Sequence, residues 1–218
     1  MVIEFPRCAR CVLKRFERVC QNENAKPVDD CPTIAYDETI RQSVATLREE
    51  PGILNFARQA SIQEGEGFNE GKPVTLRIAE TIAFAQKMKF SRLGLAFCIE
   101  LQKEARIVEA LLTEKGFEVA SASCKVGRTP KSVLDLEDHQ TLCGHASEAM
   151  GNPVAQAMLL NEVKTEFNIV MGLCVGHDSM FFKYADAPST VLVAKDRVLG
   201  HNPMAAVYTF DTYYQSLK

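Results

Sequence analysis

From Arg92 onward, short apolar runs alternate with helical segments, and this alternation limits the possible folds more than any other feature of the sequence. Runs of this length that are rich in β-branched and aromatic residues are typical of buried strands. Strands separated by helices of about 10 to 18 residues pair in parallel through right-handed crossovers. The sequence therefore predicts an α/β core over residues 91–218, with a layered parallel sheet of about four strands and flanking helices. The predicted strands are 93–98, 117–123, 168–173 and 190–194.

The first 90 residues show no such alternation. Apolar residues at helical spacing predict three helices between Asp37 and Lys89, and their expected role is to cover the core. We therefore expect a Cys-rich segment over residues 1–34 and a helical segment over residues 35–90 that packs on the core.

Composition excludes several classes of protein. The net charge of −3 provides no general attraction for nucleic acid or for acidic membranes. No apolar run approaches the roughly 20 residues that a membrane helix needs. Residues 1–10 contain charges and Pro6 and have no apolar core of a secretory signal. We expect a cytoplasmic protein without a nucleic-acid or membrane partner.

That location determines how the eight cysteines are interpreted. Disulfides do not persist in a reducing compartment, so clustered cysteines more often bind metal or react. Cys8 and Cys11 form a CxxC knuckle, and Cys20 and Cys31 can complete a tetrahedral four-thiolate zinc site. Apolar residues between Cys11 and Cys20 are spaced for a short helix that would return Cys20 to the knuckle: Val12, Leu13, Phe16 and Val19. An iron–sulfur cluster is the alternative.

A second group of reactive residues follows the predicted strands. In parallel sheets ligands bind beyond the carboxyl ends of the strands, which lie at one edge. The residues that close the four strands are Cys98, Cys124, Cys174 and Asp196. We expect a pocket there in which Cys174, at the start of a helix over about 178–184, is a metal ligand or a nucleophile. His177 would be a ligand or a proton shuttle, although it can equally cap the helix, and Cys98, between two apolar residues, is expected to be buried and inert.

The link from Lys125 to Asn152 runs for 28 residues without regular periodicity, and insertions of this length are often functional. It contains a basic turn with Arg128, which together with Lys195 is suited to bind an anion. Asn152-Pro153 and Asn202-Pro203 predict helix starts whose free N–H groups can also hold an anion. A small anionic ligand is therefore expected near the pocket.

Several stretches of the sequence form distinctive motifs: Cys174-Val-Gly-His-Asp-Ser-Met-Phe-Phe-Lys, Val193-Ala-Lys-Asp-Arg-Val-Leu-Gly-His-Asn-Pro, Asn152-Pro-Val-Ala-Gln with Leu160-Asn161, and Cys124-Lys-Val-Gly. These motifs resemble the DUF1847 family, whose members are uncharacterised proteins of anaerobic bacteria and archaea described as metal-binding. The resemblance covers nearly the whole chain and implies metal binding without defining a reaction.

The resemblance also implies a second metal site. In that family a Cys commonly precedes the Asn-Pro motif, which would give three thiolates together with Cys124 and Cys174. This chain has Gly151 there. Either Cys143 supplies the third thiolate from the insertion or the second site is absent.

Three hypotheses follow from the sequence. The first is a zinc-binding α/β protein with a Cys/His pocket. The second is a thiol-dependent hydrolase or transferase for a small anionic substrate. In this enzyme Cys174 attacks the substrate and His177 activates the cysteine. The third is a metal or redox sensor, or an iron–sulfur protein, without catalytic activity.

Overall fold

The computed structural model describes residues 5–28 and 31–217. Residues 1–4, 29 and 30 of the expected Cys-rich segment lie outside the described residues. Contacts divide the chain into two compact units, Met1–Ile62 and Gln63–Lys218. The boundaries expected at 34/35 and 90/91 stay predictions. Within the described ranges, no helix combines the length and the apolar character needed to cross a bilayer.

The first unit consists of short turns followed by helices. Two 3-10 turns are followed by α1, α2 and α3, and α3 continues past the boundary of the unit. The turns are Cys8–Arg10 and Arg15–Glu17, and the helices are α1 (Pro32–Ala35), α2 (Asp37–Glu49) and α3 (Pro51–Glu66). None of the described residues between 5 and 62 is buried. This unit therefore has no hydrophobic core of its own.

The short helix expected between Cys11 and Cys20 is wrong. Only the 3-10 turn Arg15–Glu17 forms there, and two of the four apolar residues meant for its inner face, Val12 and Phe16, are 94% and 76% exposed. Isolated helices this short are not stable unless an apolar face packs against something, because nucleation costs more than a few hydrogen bonds return.

The second unit opens with a small hairpin and one helix. The hairpin pairs β1 (Phe68–Asn69) with β2 (Lys72–Pro73), and α4 (Arg77–Lys87) follows it. The helix α4 confirms the apolar pattern seen in the sequence: Ile82, Phe84 and Ala85 are buried. The ring of Phe84 packs 5.5 Å from the ring of Phe167, which begins the central strand.

Four parallel strands form the sheet, as the sequence predicts. They are β3 (Arg92–Phe97), β4 (Glu118–Ser123), β5 (Phe167–Met171) and β6 (Ser189–Val193). Their order is β4-β3-β5-β6, and every neighbouring pair is parallel. The interior strand β5 is buried along its whole length, which explains why all its residues except Asn168 are apolar. The predicted α/β class is confirmed.

Helices follow the first three of these strands, and a further helix follows β6. They are α5 (Gln102–Glu114), α6 (Pro153–Glu162), α7 (His177–Tyr184) and α8 (Met204–Tyr208). The predicted cap of α6 is confirmed, because Asn152 Oδ1 accepts the N–H of Ala155 at 3.0 Å. The predicted cap of α8 is wrong. Pro203 already has helical angles there, and no side chain caps the helix.

A close approach inside the sheet explains Gly94 in β3. A Cβ at this position would lie 2.0 Å from Asn168 Oδ1 and 2.8 Å from Leu160 Cδ1. Asn168 is fully buried and accepts a hydrogen bond from Thr165 Oγ1 at 2.8 Å, so its side chain cannot move without losing that bond. The sheet therefore has room only for glycine at this point.

We expect Gly94→Ala to lower the free energy of unfolding by about 1–3 kcal/mol, because the added methyl overpacks the core. Denaturant titration followed by circular dichroism measures this change. Gly65→Ala is the control, since that residue is exposed in α3 and has no other atom within 4 Å of the added Cβ. The control should be unchanged or slightly more stable, and equal midpoints for the two variants would contradict the proposed crowding.

Candidate functional site

Two cysteines meet at the carboxyl edge of the sheet. Phe97, the last residue of β3, is in register with Ser123, the last residue of β4, so Cys98 and Cys124 follow as neighbours. Their sulfur atoms lie 4.0 Å apart, and the two residues are only 4% and 6% exposed. The predicted burial of Cys98 is confirmed, and the structure adds a second thiol beside it.

The backbone around this cysteine pair is held by the ends of the strands. The Cys124 N–H donates to Phe97 O at 2.8 Å, which extends the ladder between β3 and β4 by one residue. Gln156, fully buried on α6, donates from Nε2 to Phe97 O at 3.2 Å and to Ala122 O at 2.6 Å. Its Oε1 has no hydrogen-bond partner among the described residues. These bonds keep the two cysteines side by side.

A buried lysine contacts one of the two sulfur atoms. Lys195 Nζ lies 3.1 Å from Cys98 Sγ, and the lysine side chain is only 5% exposed. The same ammonium group forms an ion pair with Glu100 Oε2, and Arg197 Nε lies 3.0 Å from that oxygen and 3.1 Å from Oε1 of the same carboxylate. Lys195 and then Arg197 lower the pKa of Glu100, so it stays ionised. The Lys195 side chain is thus enclosed at the carboxyl edge of the sheet. Its expected role as an anion contact stays a prediction.

The pKa values of the two thiols are shifted in opposite directions. The hydrogen bond from Cys124, together with the Glu100 backbone N–H and Lys195, lowers the pKa of Cys98 despite burial. The same contact with Cys98, together with burial, raises the pKa of Cys124. The negative charge therefore resides on the Cys98 sulfur, and Cys124 keeps its proton.

The thiol of Cys174 has a different partner. Cys174 lies just beyond β5 and is partly exposed, and Arg197 Nη2 is 3.5 Å from its Sγ. This contact raises the pKa of Arg197. Arg197 also holds Glu100, so one chain of polar contacts runs from Cys98 through Lys195, Glu100 and Arg197 to Cys174.

His177 lies at the start of α7, where its backbone N–H donates to Cys174 O at 2.9 Å. Its ring lies against Gly151: a Cβ at that position would be 2.7 Å from Cε1 and 2.8 Å from Nδ1. Burial lowers the pKa of His177, so the ring is neutral near pH 7. The imidazole thus fills the space that a side chain at position 151 would need. The catalytic pairing of Cys174 with His177 stays a prediction.

A backbone hydrogen bond joins the two ends of the insertion between β4 and α6, and an ion pair forms within it. Asn152 N–H donates to Cys124 O at 2.8 Å, and Lys131 Nζ pairs with Glu148 Oε1 at 2.7 Å. Glu148 also accepts the backbone N–H of Cys143 at 2.8 Å, and Cys143 itself is exposed. Arg128 is exposed as well.

The four N-terminal cysteines line one cavity of about 170 Å³ in the first unit. They are Cys8, Cys11, Cys20 and Cys31, and three arginines line the same cavity: Arg7, Arg10 and Arg18. Across residues 5–28 and 31–217, no three His, Cys, Asp or Glu side chains are arranged as ligands of one metal ion. Both metal sites derived from the sequence therefore stay predictions.

Sequence reasoning missed the roles of Glu100 and Gln156 and the partners of Cys98. Glu100 is two residues from Cys98, and this proximity could have suggested that the carboxylate lies near the thiol. Lys195, however, is 97 residues away from Cys98 in the chain, and no local pattern indicates the contact.

This fold and edge define a cysteine-rich α/β protein with a parallel sheet. A family profile described as "Protein of unknown function (DUF1847)" matches residues 31–192. The chain therefore belongs to the DUF1847 family, as the sequence motifs predict. A similar relative is "Uncharacterized protein MJ0455" of Methanocaldococcus jannaschii, 45% identical over 133 residues, which are 61% of this chain and 67% of the relative. No solved structure matches the chain significantly.

The contacts of Glu148 lead to a prediction about acid stability. Lys131, followed by the backbone N–H of Cys143, lowers the pKa of Glu148 to about 2. A carboxylate with a depressed pKa stabilises the fold fully above its ordinary pKa, and this stabilisation is lost as the pH falls to the folded value. The free energy of unfolding of the wild type should therefore fall more steeply between about pH 4.5 and pH 2 than that of Glu148→Gln.

Denaturant titrations at several pH values test this difference. Asp135→Asn is the matched control, because Asp135 is exposed in the same insertion and asparagine also tolerates its left-handed backbone. The control should keep the slope of the wild type. If Glu148→Gln keeps it too, the ion pair with Lys131 does not stabilise the fold.

Proposed function

We propose that this protein binds a metal ion, zinc, through Cys8, Cys11, Cys20 and Cys31. The supporting observation is that all four cysteines line one cavity, although they spread over 24 positions of the chain. Four thiolates are the common donor set of a structural zinc site. A zinc ion held there would act as a structural cross-link of the first unit.

The energetics of the first unit support the same proposal. No described residue between 5 and 62 is buried, so hydrophobic burial supplies little of the folding free energy. In small segments of this kind, metal binding supplies folding free energy directly. The unit therefore has a physical need for the cross-link.

The charges around the cavity are also suitable. Four thiolates and one Zn²⁺ leave two excess negative charges, which are costly in a partly enclosed site. Arg7, Arg10 and Arg18 line the cavity and can offset this charge. An iron–sulfur cluster uses the same four thiolates, and its colour distinguishes it from zinc.

Metal analysis of the anaerobically purified protein tests this proposal. We expect one zinc ion per chain in the wild type and its loss in Cys11→Ser, measured by elemental analysis and by release to a colorimetric chelator. Cys98→Ser is the control, because Cys98 lies at the carboxyl edge of the sheet and belongs to neither predicted metal site. Absence of zinc and iron from the wild type would overturn the proposal, whereas iron with visible absorption would replace zinc by a cluster.

A second candidate is a thiol-dependent reaction of Cys174 with a small anionic substrate, in a cytoplasmic and therefore reducing environment. The observation that favours it is the guanidinium of Arg197 at 3.5 Å from the Cys174 sulfur. Cys174 is more exposed than Cys98 and Cys124, so a substrate reaches its thiol first. The positive charge would attract an anion to this thiol, with Cys174 as nucleophile and His177 as proton shuttle.

Alkylation rates at Cys174 test the second candidate. Iodoacetate is anionic and iodoacetamide is neutral, so the ratio of their rates reports attraction of an anion. We expect Arg197→Gln to lower this ratio several-fold, as measured on the peptide that contains Cys174. Arg106→Gln, at an exposed position of α5, should leave the ratio unchanged. An unchanged ratio in Arg197→Gln would remove this candidate.

A further inference from the structure

The pair of buried thiols at the carboxyl edge has no part in the metal site of the first unit. We propose that Cys98 and Cys124 are a redox-active dithiol that reduces low-molecular-weight disulfides by thiol–disulfide exchange. Cys98 is the attacking cysteine, Cys124 is the resolving cysteine, and Lys195 stabilises the attacking thiolate.

Strand register places the two cysteines where a disulfide can close. They directly follow the register partners Phe97 and Ser123 on parallel strands, and such strands lie about 4.8 Å apart. Disulfides span Cα separations of about 4.4 to 6.8 Å, so the backbone already has the necessary spacing. The sulfur atoms at 4.0 Å need to approach to about 2 Å, which rotation of the two short side chains can provide.

The backbone does not have to move when the bond forms. The Cys124 N–H donates to Phe97 O, and Gln156 Nε2 bridges the carbonyl oxygens of Phe97 and Ala122. These hydrogen bonds use none of the sulfur atoms, so they remain in the dithiol and the disulfide alike. The fold therefore accommodates both redox states.

Charge distinguishes the two sulfur atoms. Lys195 Nζ contacts Cys98 Sγ at 3.1 Å, whereas the Ile99 N–H contacts Cys124 Sγ at 3.3 Å. The ammonium group of Lys195 also pairs with Glu100, whose Oε2 lies 3.9 Å from Cys98 Sγ. Because Lys195 is closer to this sulfur than the carboxylate is, it favours the thiolate on Cys98 in the resting state, which makes Cys98 the nucleophile. The weaker backbone dipole at Cys124 can stabilise negative charge briefly when Cys124 loses its proton in the second step.

The reaction balances without another reagent. The Cys98 thiolate attacks one sulfur of a small disulfide RSSR, the S–S bond breaks, and the first RS⁻ leaves and takes up a proton. Cys124 then loses its proton and attacks Cys98 Sγ in the mixed disulfide, which releases the second RS⁻. The protein dithiol is oxidised by two electrons to a disulfide, and RSSR is reduced to two RSH.

The low exposure of both cysteines sets the size of the substrate. At 4% and 6% exposure, the sulfur atoms are out of reach of a folded protein surface. Only a small molecule, with a few heavy atoms around its S–S bond, suits thiols as enclosed as these. We therefore choose 2-hydroxyethyl disulfide as the probe.

The chain offers a direct readout by peptide mapping. Trypsin releases Cys98 in residues 93–103 and Cys124 in residues 116–125, and each of these peptides has a single cysteine. The reduced full-length protein is treated with the probe, quenched with acid and N-ethylmaleimide, and digested. We expect the wild type to give the two peptides joined by a disulfide. The wild-type result needs no variant, so it does not depend on whether a substitution folds.

Variants then assign the roles. Cys124→Ser should stop at a mixed disulfide on the 93–103 peptide, whereas Cys98→Ser should form an adduct at Cys124 about tenfold more slowly or not at all. Lys195→Met should slow the first step several-fold, and Lys183→Met, at an exposed position of α7, should not. The zinc content of Cys98→Ser should equal that of the wild type, which separates this proposal from the metal site.

Three results would overturn the inference. The first is a wild-type disulfide that joins other cysteines while the 93–103 and 116–125 peptides stay reduced. The second is an adduct that collects on Cys174 in Cys124→Ser. The third is a stable mixed disulfide on wild-type Cys98, because that would show that Cys124 does not resolve it.

Discussion

The carboxyl edge of this protein depends on the parallel register of β3 and β4. The two strands end together, and only for that reason do Cys98 and Cys124, which are 26 residues apart in the chain, bring their sulfur atoms to 4.0 Å. A slip of one residue would turn one of the thiols to the opposite face of the sheet. Gln156 holds the two strand ends at this register from α6, so the packing of one helix maintains the geometry of the pair.

The two groups of cysteines rest on different physical grounds. In the second unit the cysteine pair is part of a packed core, and the contacts of the sheet bring it together whether or not a ligand is bound. In the first unit, no described side chain is buried, and the four cysteines share a cavity instead of a core. A metal ion would therefore contribute stability to the first unit, whereas the dithiol draws on stability that the sheet already has.

Lys195 shows why the chemistry of the edge was only partly predictable. The sequence places this lysine just beyond β6 among charged residues, a pattern that indicates an exposed turn. In the structure its side chain is 5% exposed and lies between Cys98 and Glu100. The partners are 97 and 95 positions away in the chain. A local pattern contains no information about such contacts, so the interpretation of Cys98 as an inert thiol was made without Lys195.

The sequence by itself determined the four parallel strands, the alternating helices and the cap at Asn152, because periodicity and capping act over a few neighbouring residues. It also indicated that the strand-closing cysteines lie along one edge, since parallel strands end together. Only the tertiary structure decided the order β4-β3-β5-β6, the contact between Cys98 and Cys124, and the burial of Lys195. These depend on contacts between residues distant in the chain, and such contacts are chosen by the packing of the whole core.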